Sequence, residues 1–264
     1  FIIGARELGT EIFSVKDGQL ALNFDKDVVR KLWDNYYVPF INGYFASSGK
    51  FRSDDIKTGN ILAFVGSSAG ATFFPNQVTL DDENTYPIEM QAFECPRFKD
   101  GEKYSVQQGA GMAVTKSDER HEYAACEFLK WFTRKENNLR FVCESAYLPV
   151  RKDSNSVEAL DEIIKDKDLK VNDKAYQCLD SILSSYDLTS FYTPKCFENG
   201  YTARKILDYD LSDKAAEDKA KVDEMAAGGM SRAEAEARFT TDEAFEQWYE
   251  QWNTKLENAA FQNN

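Results

Sequence analysis

The sequence predicts an α/β protein, because short apolar runs of strand length alternate with longer stretches of helical period. Ile61–Val65 is a continuous apolar run, which is typical of a strand covered on both faces. Gly111–Val114 is a second, shorter run of this kind. From Ser154 onward the pattern is almost wholly helical, so the carboxy-terminal part is expected to be helix-rich.

The first long helix is predicted after Asp25, whose carboxylate can accept hydrogen bonds from the free N–H groups of the first turn. Its apolar positions share one face and are Val28, Val29, Leu32, Trp33 and Tyr36. Pro39 is expected to end or bend the helix, since proline lacks an N–H group and clashes with the preceding turn. Further along, Ile88–Phe93 alternates enough to predict a strand, which Pro96 closes.

A second long helix is predicted from Asp118 to Arg134, with Ser117 as its cap and acidic residues at its positive end. Its expected core face consists of Ala124, Ala125, Phe128, Leu129 and Phe132. Cys126 and Trp131 are also expected to be buried on this helix. Tyr147–Val150 then forms an extended return.

The remaining helices are indicated by apolar faces and capping signals. The predicted faces are Val157, Leu160, Ile163 and Ile164; Ala175, Tyr176, Leu179, Ile182 and Leu183; and Phe245, Trp248, Tyr249, Trp252 and Leu256. Tyr186–Tyr201 is aromatic and turn-rich, and a helix is predicted from about Ser212 to Gly228. Ser231 and Glu234 have the spacing of a capping box.

Composition excludes several classes of function. The 264 residues carry a net charge of −13, which argues against a nucleic-acid partner because phosphates need a basic face. No apolar run reaches the roughly 18 residues of a transmembrane helix. The five cysteines are widely spaced and accompany a single histidine, so neither a zinc site nor a complete disulfide framework is predicted. The chain opens at Phe1 without a methionine or a signal peptide, and we interpret this start as internal, with a processed amino terminus as the alternative.

No catalytic constellation is predicted. A Ser-His-Asp or Cys-His arrangement would have to use His121, which is expected in the exposed first turn of a helix. Carboxylates are plentiful in so acidic a chain, and no glycosidase pair among them can be nominated. The sequence therefore predicts a non-enzymatic protein with no catalytic residue, metal or cofactor.

Two glycine-containing segments are candidates for ligand binding. Gly66, Ser67 and Ser68 combine close backbone approach with hydroxyl groups, although they fit a tight strand-to-helix turn equally well. Gln107, Gln108 and Gly109 offer two carboxamides before a glycine pair, with a close strand–helix contact as the alternative. Neither segment has the pattern of a phosphate-binding loop.

Six segments in order resemble the extracellular solute-binding proteins that feed ABC importers, especially the sugar-binding members. They are Ile56–Ser67, Glu94–Pro96, Gln108–Val114, Ala124–Trp131, Tyr147–Val150 and Gly229–Ala235. Two departures are the serines at 67 and 68, where the family often has a large aromatic residue, and Ser145-Ala146, where it has a glycine before the tyrosine.

The resemblance implies a periplasmic-binding-protein-like fold of type II, with two lobes in the intact protein. Residues 1–114 are then mainly a second-lobe α/β segment that crosses between lobes near 94–96, and residues 115–264 are a helical segment packing on both lobes. This sequence would be a carboxy-terminal fragment that lacks the first part of the amino-terminal lobe.

The resemblance also implies the function: an extracytoplasmic, monomeric protein, periplasmic or on the cell surface with a lipid anchor upstream, that delivers a sugar to an ABC permease. The implied ligand-binding residues are Gly66, Ser67, Ser68, Gln107, Gln108, Gly109, Tyr147 and Phe197. A glycerol phosphate or a peptide-like solute is the alternative ligand. Two alternatives of other classes are an exported polysaccharide-acting enzyme and an adhesion or scaffold module.

Overall fold

The computed structural model describes residues 1–48 and 51–261, which form two compact units. Unit 1 consists of Phe1–Ala46, Arg97–Val106 and the chain from Phe191 onward. Unit 2 consists of Ser47–Pro96 and Gln107–Ser190. Helices predominate, and the strands of the described residues form three separate two-stranded sheets.

Most of the helices are much longer than the strands. In chain order, the helices are α1 (Ile2–Glu7), α2 (Lys26–Ile41), α3 (Arg52–Lys57), α4 (Glu119–Phe132), α5 (Lys135–Ser145), α6 (Val157–Lys167), α7 (Asp173–Leu183), α8 (Gly200–Ala227), α9 (Arg232–Ala237) and α10 (Asp242–Phe261). The strands are β1 (Phe13–Lys16), β2 (Gln19–Leu22), β3 (Gln77–Thr79), β4 (Thr85–Pro87), β5 (Tyr104–Val106) and β6 (Ser190–Tyr192). Short 3-10 helices span Ser68–Phe73, Lys152–Ser154 and Tyr186–Leu188. Within the described ranges, no helix has both the length and the apolar character needed to cross a membrane.

In unit 1, α1 is followed by a β-hairpin that pairs β1 with β2 in antiparallel register, Phe13 opposite Leu22. The two turn residues, Asp17 and Gly18, have φ values of 51° and 77°. Positive φ at both central positions is the requirement of a two-residue type I′ turn, and an Asp-Gly pair meets it at low cost. The hairpin places the ring of Phe13 in the core of unit 1.

The core of unit 1 is built mainly from α2, α8 and α10. The predicted cap of α2 is confirmed, because the Asp25 carboxylate accepts hydrogen bonds from the N–H groups of Asp27 and Val28. Pro39 does not end the helix, which continues to Ile41. The predicted capping box of Ser231 and Glu234 is also confirmed. The largest fully buried side chains of this core are Phe13, Trp33, Tyr37, Ile41, Phe245, Trp252 and Leu256.

A buried carboxylate lies beside this core. Asp218 on α8 accepts a hydrogen bond of 2.8 Å from the hydroxyl of Tyr37 and bonds of 2.7 Å from the ammonium groups of Lys214 and Lys221. Burial alone would raise the pKa of Asp218, but these three donors hold it below its ordinary value. The ionised form is therefore part of the folded state.

The core of unit 2 is smaller and lies among α5, α6 and α7. Its fully buried members include Leu139, Val142, Leu160 and Leu179, so the predicted apolar faces of α6 and α7 are confirmed. Burial in this core raises the pKa of the Cys143 thiol to about 11.

The predicted buried strands of unit 2 are wrong. Ile61–Val65 and Gly111–Val114 have irregular backbone, and the side chain of Leu62 is 100% exposed. Ile88–Phe93 is also irregular, and the strand β4 ends just before it at Pro87. A strand needs a neighbour for its N–H and C=O groups, and no strand of the described residues pairs with these segments.

The predicted core face of α4 is wrong as well. The helix exists and is capped by Asp118, but none of its residues is buried, including Cys126. Phe128 is 52% exposed and Trp131 is 47% exposed. The amphipathic pattern predicts the helix correctly, whereas burial requires a facing element that the described part of unit 2 does not supply.

The helix predicted from Ser212 begins twelve residues earlier, at Gly200. Its entry residue, Asn199, has a left-handed backbone and makes no side-chain cap hydrogen bond. Asparagine is a favoured residue at a helix start, but the Asn199 side chain does not cap α8, and the start predicted from the sequence is too late.

Candidate functional site

Seven of the eight implied ligand residues belong to unit 2, where they occupy three segments. The segments are Gly66–Ser68, Gln107–Gly109 and Tyr147. Phe197 belongs to unit 1 and is considered by itself. The geometry of each segment shows which interactions it can offer to a solute.

The candidate turn, Gly66–Ser68, leads directly into the 3-10 helix Ser68–Phe73, which packs on α7. Gly66 and Ser67 are exposed. The ring of Phe64 lies beneath the turn, and a Cβ atom added to Gly66 would come within 3.0 Å of it. A larger residue would have to displace the Phe64 ring, so this contact favours glycine, while Gly66 and Ser67 are exposed to solvent.

The carboxamide segment, Gln107–Gly109, follows immediately after β5 and is exposed throughout. A Cβ atom added to Gly109 or to Gly111 would meet no other atom within 4 Å. The close strand–helix contact, the alternative interpretation of these glycines, is thus not present. The open space beside them is compatible with a ligand approaching the backbone.

Tyr147 follows the end of α5, where Ala146 has a left-handed φ of 56° and is buried. The Tyr147 N–H donates to the hydroxyl of Ser145, and the ring lies 5.8 Å from that of Phe141. The side chain is 38% exposed, so part of the phenol ring is accessible to a solute. Ala146 occupies the position at which the family has glycine, and the left-handed backbone explains why glycine suits it.

The return after Tyr147 is fixed by Asn138 on α5. Asn138 is buried, and its Oδ1 accepts a 2.9 Å hydrogen bond from the N–H of Val150. This side-chain bond replaces the backbone pairing that an extended segment would otherwise need. Sequence reasoning misses Asn138, because a polar residue within a helix gives no signal of such a long-range contact.

Phe197 is half-buried at the edge of the unit 1 core, where its ring lies 5.1 Å from that of Phe13. It shares this edge with Gly200, at which an added Cβ would approach the Phe197 ring to 3.4 Å. Packing therefore accounts for much of its surface, and a role in ligand binding stays a prediction.

A groove that sequence reasoning misses lies along α7. This α7 groove is shallow and largely open to solvent, encloses about 840 Å³, and runs between the helix and the segment Glu89–Glu94. Its polar lining consists of Glu89, Gln91, Glu94, Gln177, Asp180, Ser181 and Ser184, and its apolar lining includes Met90 and Phe93. Gln177 also accepts a hydrogen bond of 3.3 Å from the N–H of Ala92, which connects the two walls. The alternating pattern of Ile88–Phe93 predicts a strand at this point and therefore gives no sign of a groove.

His121 lies where the sequence predicts it, exposed in the first turn of α4 and hydrogen-bonded to Asp118. The side chain of Asp118 also caps the helix through the His121 N–H. This local pair is a helix-end arrangement, and the ring has no hydroxyl or thiol partner in it.

One comparison with known proteins identifies a family. The family model described as bacterial extracellular solute-binding protein matches residues 5–171, about two thirds of the chain. No match was found among curated proteins or among solved structures. The matched range includes the candidate turn, the carboxamide segment, Tyr147 and the segment Glu89–Glu94 that lines the α7 groove.

Proposed function

Because the chain belongs to the family of bacterial extracellular solute-binding proteins, we propose that its solute is a carbohydrate and that it passes this sugar to an ABC import permease. Membership of the family implies that the protein acts outside the cytoplasm, and such proteins are typically not enzymes. The choice of a carbohydrate rests on the chemistry of unit 2.

The observation that carries the carbohydrate proposal is the mixed lining of the α7 groove. Sugar hydroxyls donate to carboxylates and carboxamides, which Glu89, Asp180 and Gln177 provide. The apolar faces of a sugar ring pack on aromatic side chains, and Phe93 lies in the same lining. The candidate turn and Tyr147 add hydroxyl groups and a further exposed ring within unit 2.

The same lining disfavours the alternative of a glycerol phosphate. A phosphate group in the α7 groove would face the carboxylates of Glu89, Glu94 and Asp180. Like charges at short range are repulsive, so this groove selects against an anion. A peptide-like solute has no such conflict and remains the second candidate.

The exposed apolar segments of unit 2 support the further proposal of a two-lobed type II fold in the intact protein. Ile61–Val65, Gly111–Val114 and the apolar face of α4 have sequence patterns of burial, and none of their residues is buried. Further strands of the intact two-lobed protein would pair with these segments and cover them. The division at residue 114 and the crossing between lobes near 94–96 stay predictions. The chain passes from unit 2 to unit 1 between Pro96 and Arg97, which supports a crossing near 94–96.

The proposed mechanism is closure of the two lobes on the sugar, followed by recognition of the closed form by the permease. A solute that binds one conformation better than another shifts the equilibrium toward it. The protein would act as a monomer, and a lipid anchor would hold it at the membrane. A ligand contact of Phe197, which belongs to unit 1, stays a prediction.

Thermal unfolding tests the choice of solute. The protein is heated with mono- and oligosaccharides, glycerol phosphates, amino acids and peptides, each in excess. A solute that binds only the folded state at one hundred times its Kd stabilises it by about 2.7 kcal/mol. A rise in Tm with one saccharide class supports the proposal; a rise with peptides alone favours the second candidate. If no solute changes the Tm and the protein releases reducing ends from a polysaccharide, the alternative of an exported polysaccharide-acting enzyme is favoured.

Two matched pairs of variants locate the site. Glu89→Gln changes a carboxylate of the α7 groove, whereas Glu83→Gln makes the same change in an exposed turn. Tyr147→Ala removes the candidate stacking ring, whereas Tyr123→Ala removes an exposed tyrosine of α4. The saccharide-induced rise in Tm should shrink in the first member of each pair and persist in the second.

A further inference from the structure

The loop that carries the candidate turn is closed on itself by aromatic contact. The rings of Phe64 and Phe74 stack at 6.0 Å with an interplanar angle of 15°. Phe64 lies just before Gly66 and supports it from below. The segment that contains the candidate turn and the 3-10 helix is therefore closed at its two ends by stacked rings.

A single lysine anchors the far side of this loop. The Nζ of Lys174, in the first turn of α7, donates to the backbone carbonyl of Phe74 and to Oδ1 of Asn76, both at 2.5 Å. It also lies 5.6 Å from the centroid of the Phe74 ring, within the range of a cation–π contact. One ammonium group thus restrains the backbone and the ring of Phe74 together.

The environment of Lys174 is unusual for a lysine. Both of these acceptors are neutral oxygens, and burial lowers the pKa of the ammonium group. An ammonium that gives up water for neutral partners is costly unless its hydrogen bonds are well formed. Its position is therefore better explained by what it restrains than by a gain from pairing charges.

We propose that Lys174 is a positioning residue for the candidate turn: it holds Phe74, Phe74 stacks on Phe64, and Phe64 supports Gly66. This inference rests on the proposed function, since it takes Gly66–Ser68 to be a ligand-binding turn. Lys174 does not touch the solute in this arrangement. It makes the turn ready to bind by reducing the number of conformations that binding must otherwise select.

Hydrogen exchange of the protein without any solute tests the restraint directly. Lys174→Met keeps the aliphatic stem and removes the donors, and Lys174→Arg restores donors and charge. Exchange of the amides between Gly66 and Phe73 should rise in the methionine variant and return toward the original rate in the arginine variant. Exchange in β3 and β4, and the Tm, should change little. Lys170→Met, which removes an exposed lysine near the start of α7, is the control.

A binding measurement separates positioning from a purely structural role. With a saccharide that raises the Tm of the unchanged protein, Kd should rise about tenfold in Lys174→Met while the unfolding midpoint without saccharide is unchanged. Unchanged exchange of residues 66–73, or an equal rise across all of unit 2, would overturn the positioning role. A flat solute panel with the expected exchange pattern would instead refute the proposed function and leave the restraint standing.

Discussion

Unit 1 and unit 2 bury their large apolar side chains to very different extents. In unit 1 the apolar faces of α2, α8 and α10 meet one another, and its largest aromatic residues are almost completely covered. In unit 2 the core is confined to α5, α6 and α7, while α4 and the segments near Leu62 and Met112 present apolar side chains to solvent. An amphipathic pattern therefore shows that a side chain is suited to be covered, but not which part of a protein covers it.

The largest effect is expected in the unit 1 core. Trp33 is fully buried, stacks on Tyr37 at 3.8 Å and contacts the rings of Phe245 and Trp248. Trp33→Ala should lower the free energy of unfolding by about 4 kcal/mol, because it removes a large buried ring and leaves a cavity. Urea unfolding followed by far-ultraviolet circular dichroism measures the change. A smaller loss of unfolding free energy than in Trp131→Ala would contradict the contrast between the two units.

The next effect concerns the buried carboxylate of unit 1. The folded-state pKa of Asp218 lies below its unfolded value of about 3.9, so its stabilisation is present above that pH and is lost as the pH falls through the folded pKa. Asp218→Asn should cost about 2 kcal/mol at neutral pH, because Lys214 and Lys221 lose their charged partner.

The pH profile gives the control for this prediction. Between neutral pH and pH values below about 4, the stability of Asp218→Asn should fall less than that of the unchanged protein. Asp213→Asn, an exposed acid on the same helix, should leave both the stability and its acid dependence nearly unchanged. If stability falls equally with pH in the unchanged protein and in Asp218→Asn, the Asp218 carboxylate does not contribute to the pH dependence of stability.

A smaller effect is expected in unit 2 at Asn138. Asn138→Ala removes the acceptor of the Val150 N–H in a buried position and should cost about 1.5 kcal/mol. Faster hydrogen exchange of Val150 and a raised Kd for a stabilising saccharide should accompany it, since this bond fixes the return from Tyr147. Asn137→Ala, at the neighbouring position, is the comparison variant. Normal exchange at Val150 in the Asn138→Ala variant would refute the role.

The smallest effect is expected on the exposed face of α4. Trp131 is 47% exposed and touches mainly the ring of Phe128. Trp131→Ala should change the free energy of unfolding of this chain by about 0.5 kcal/mol or less, because most of its surface is already hydrated. A loss close to that of Trp33→Ala would show that α4 is covered in solution and would remove the contrast between the two units.

Local signals predict the structure best. Asp25, the Ser231–Glu234 box and the apolar face of α10 are identified because a cap or a helical period depends on neighbours in sequence. The hairpin at Asp17–Gly18 carries an equally local signal, although it is absent from the predicted elements. The start of α8 has an asparagine at its cap position, Asn199, but the side chain makes no cap hydrogen bond there.

Long-range partners account for the errors. Ile61–Val65 has the composition of a buried strand. A strand also needs hydrogen bonds to a second strand, and the sequence of Ile61–Val65 does not show whether that second strand is present. The candidate site shows the same limit. Residue types at Gly66, Gln107 and Tyr147 indicate binding chemistry, whereas the α7 groove depends on Asp180 and Glu89 meeting across 91 residues of chain.

The distribution of tryptophan gives the molecule a built-in optical reporter. Trp33, Trp248 and Trp252 lie in the unit 1 core, and Trp131, the remaining one of the four, lies exposed on unit 2. A dissolved quencher should therefore reduce the fluorescence of Trp131 and have little effect on that of Trp33, Trp248 and Trp252. The quenchable fluorescence reports on the surface of α4, and the protected fluorescence reports on the packing of unit 1. A single unlabelled sample can therefore monitor both units.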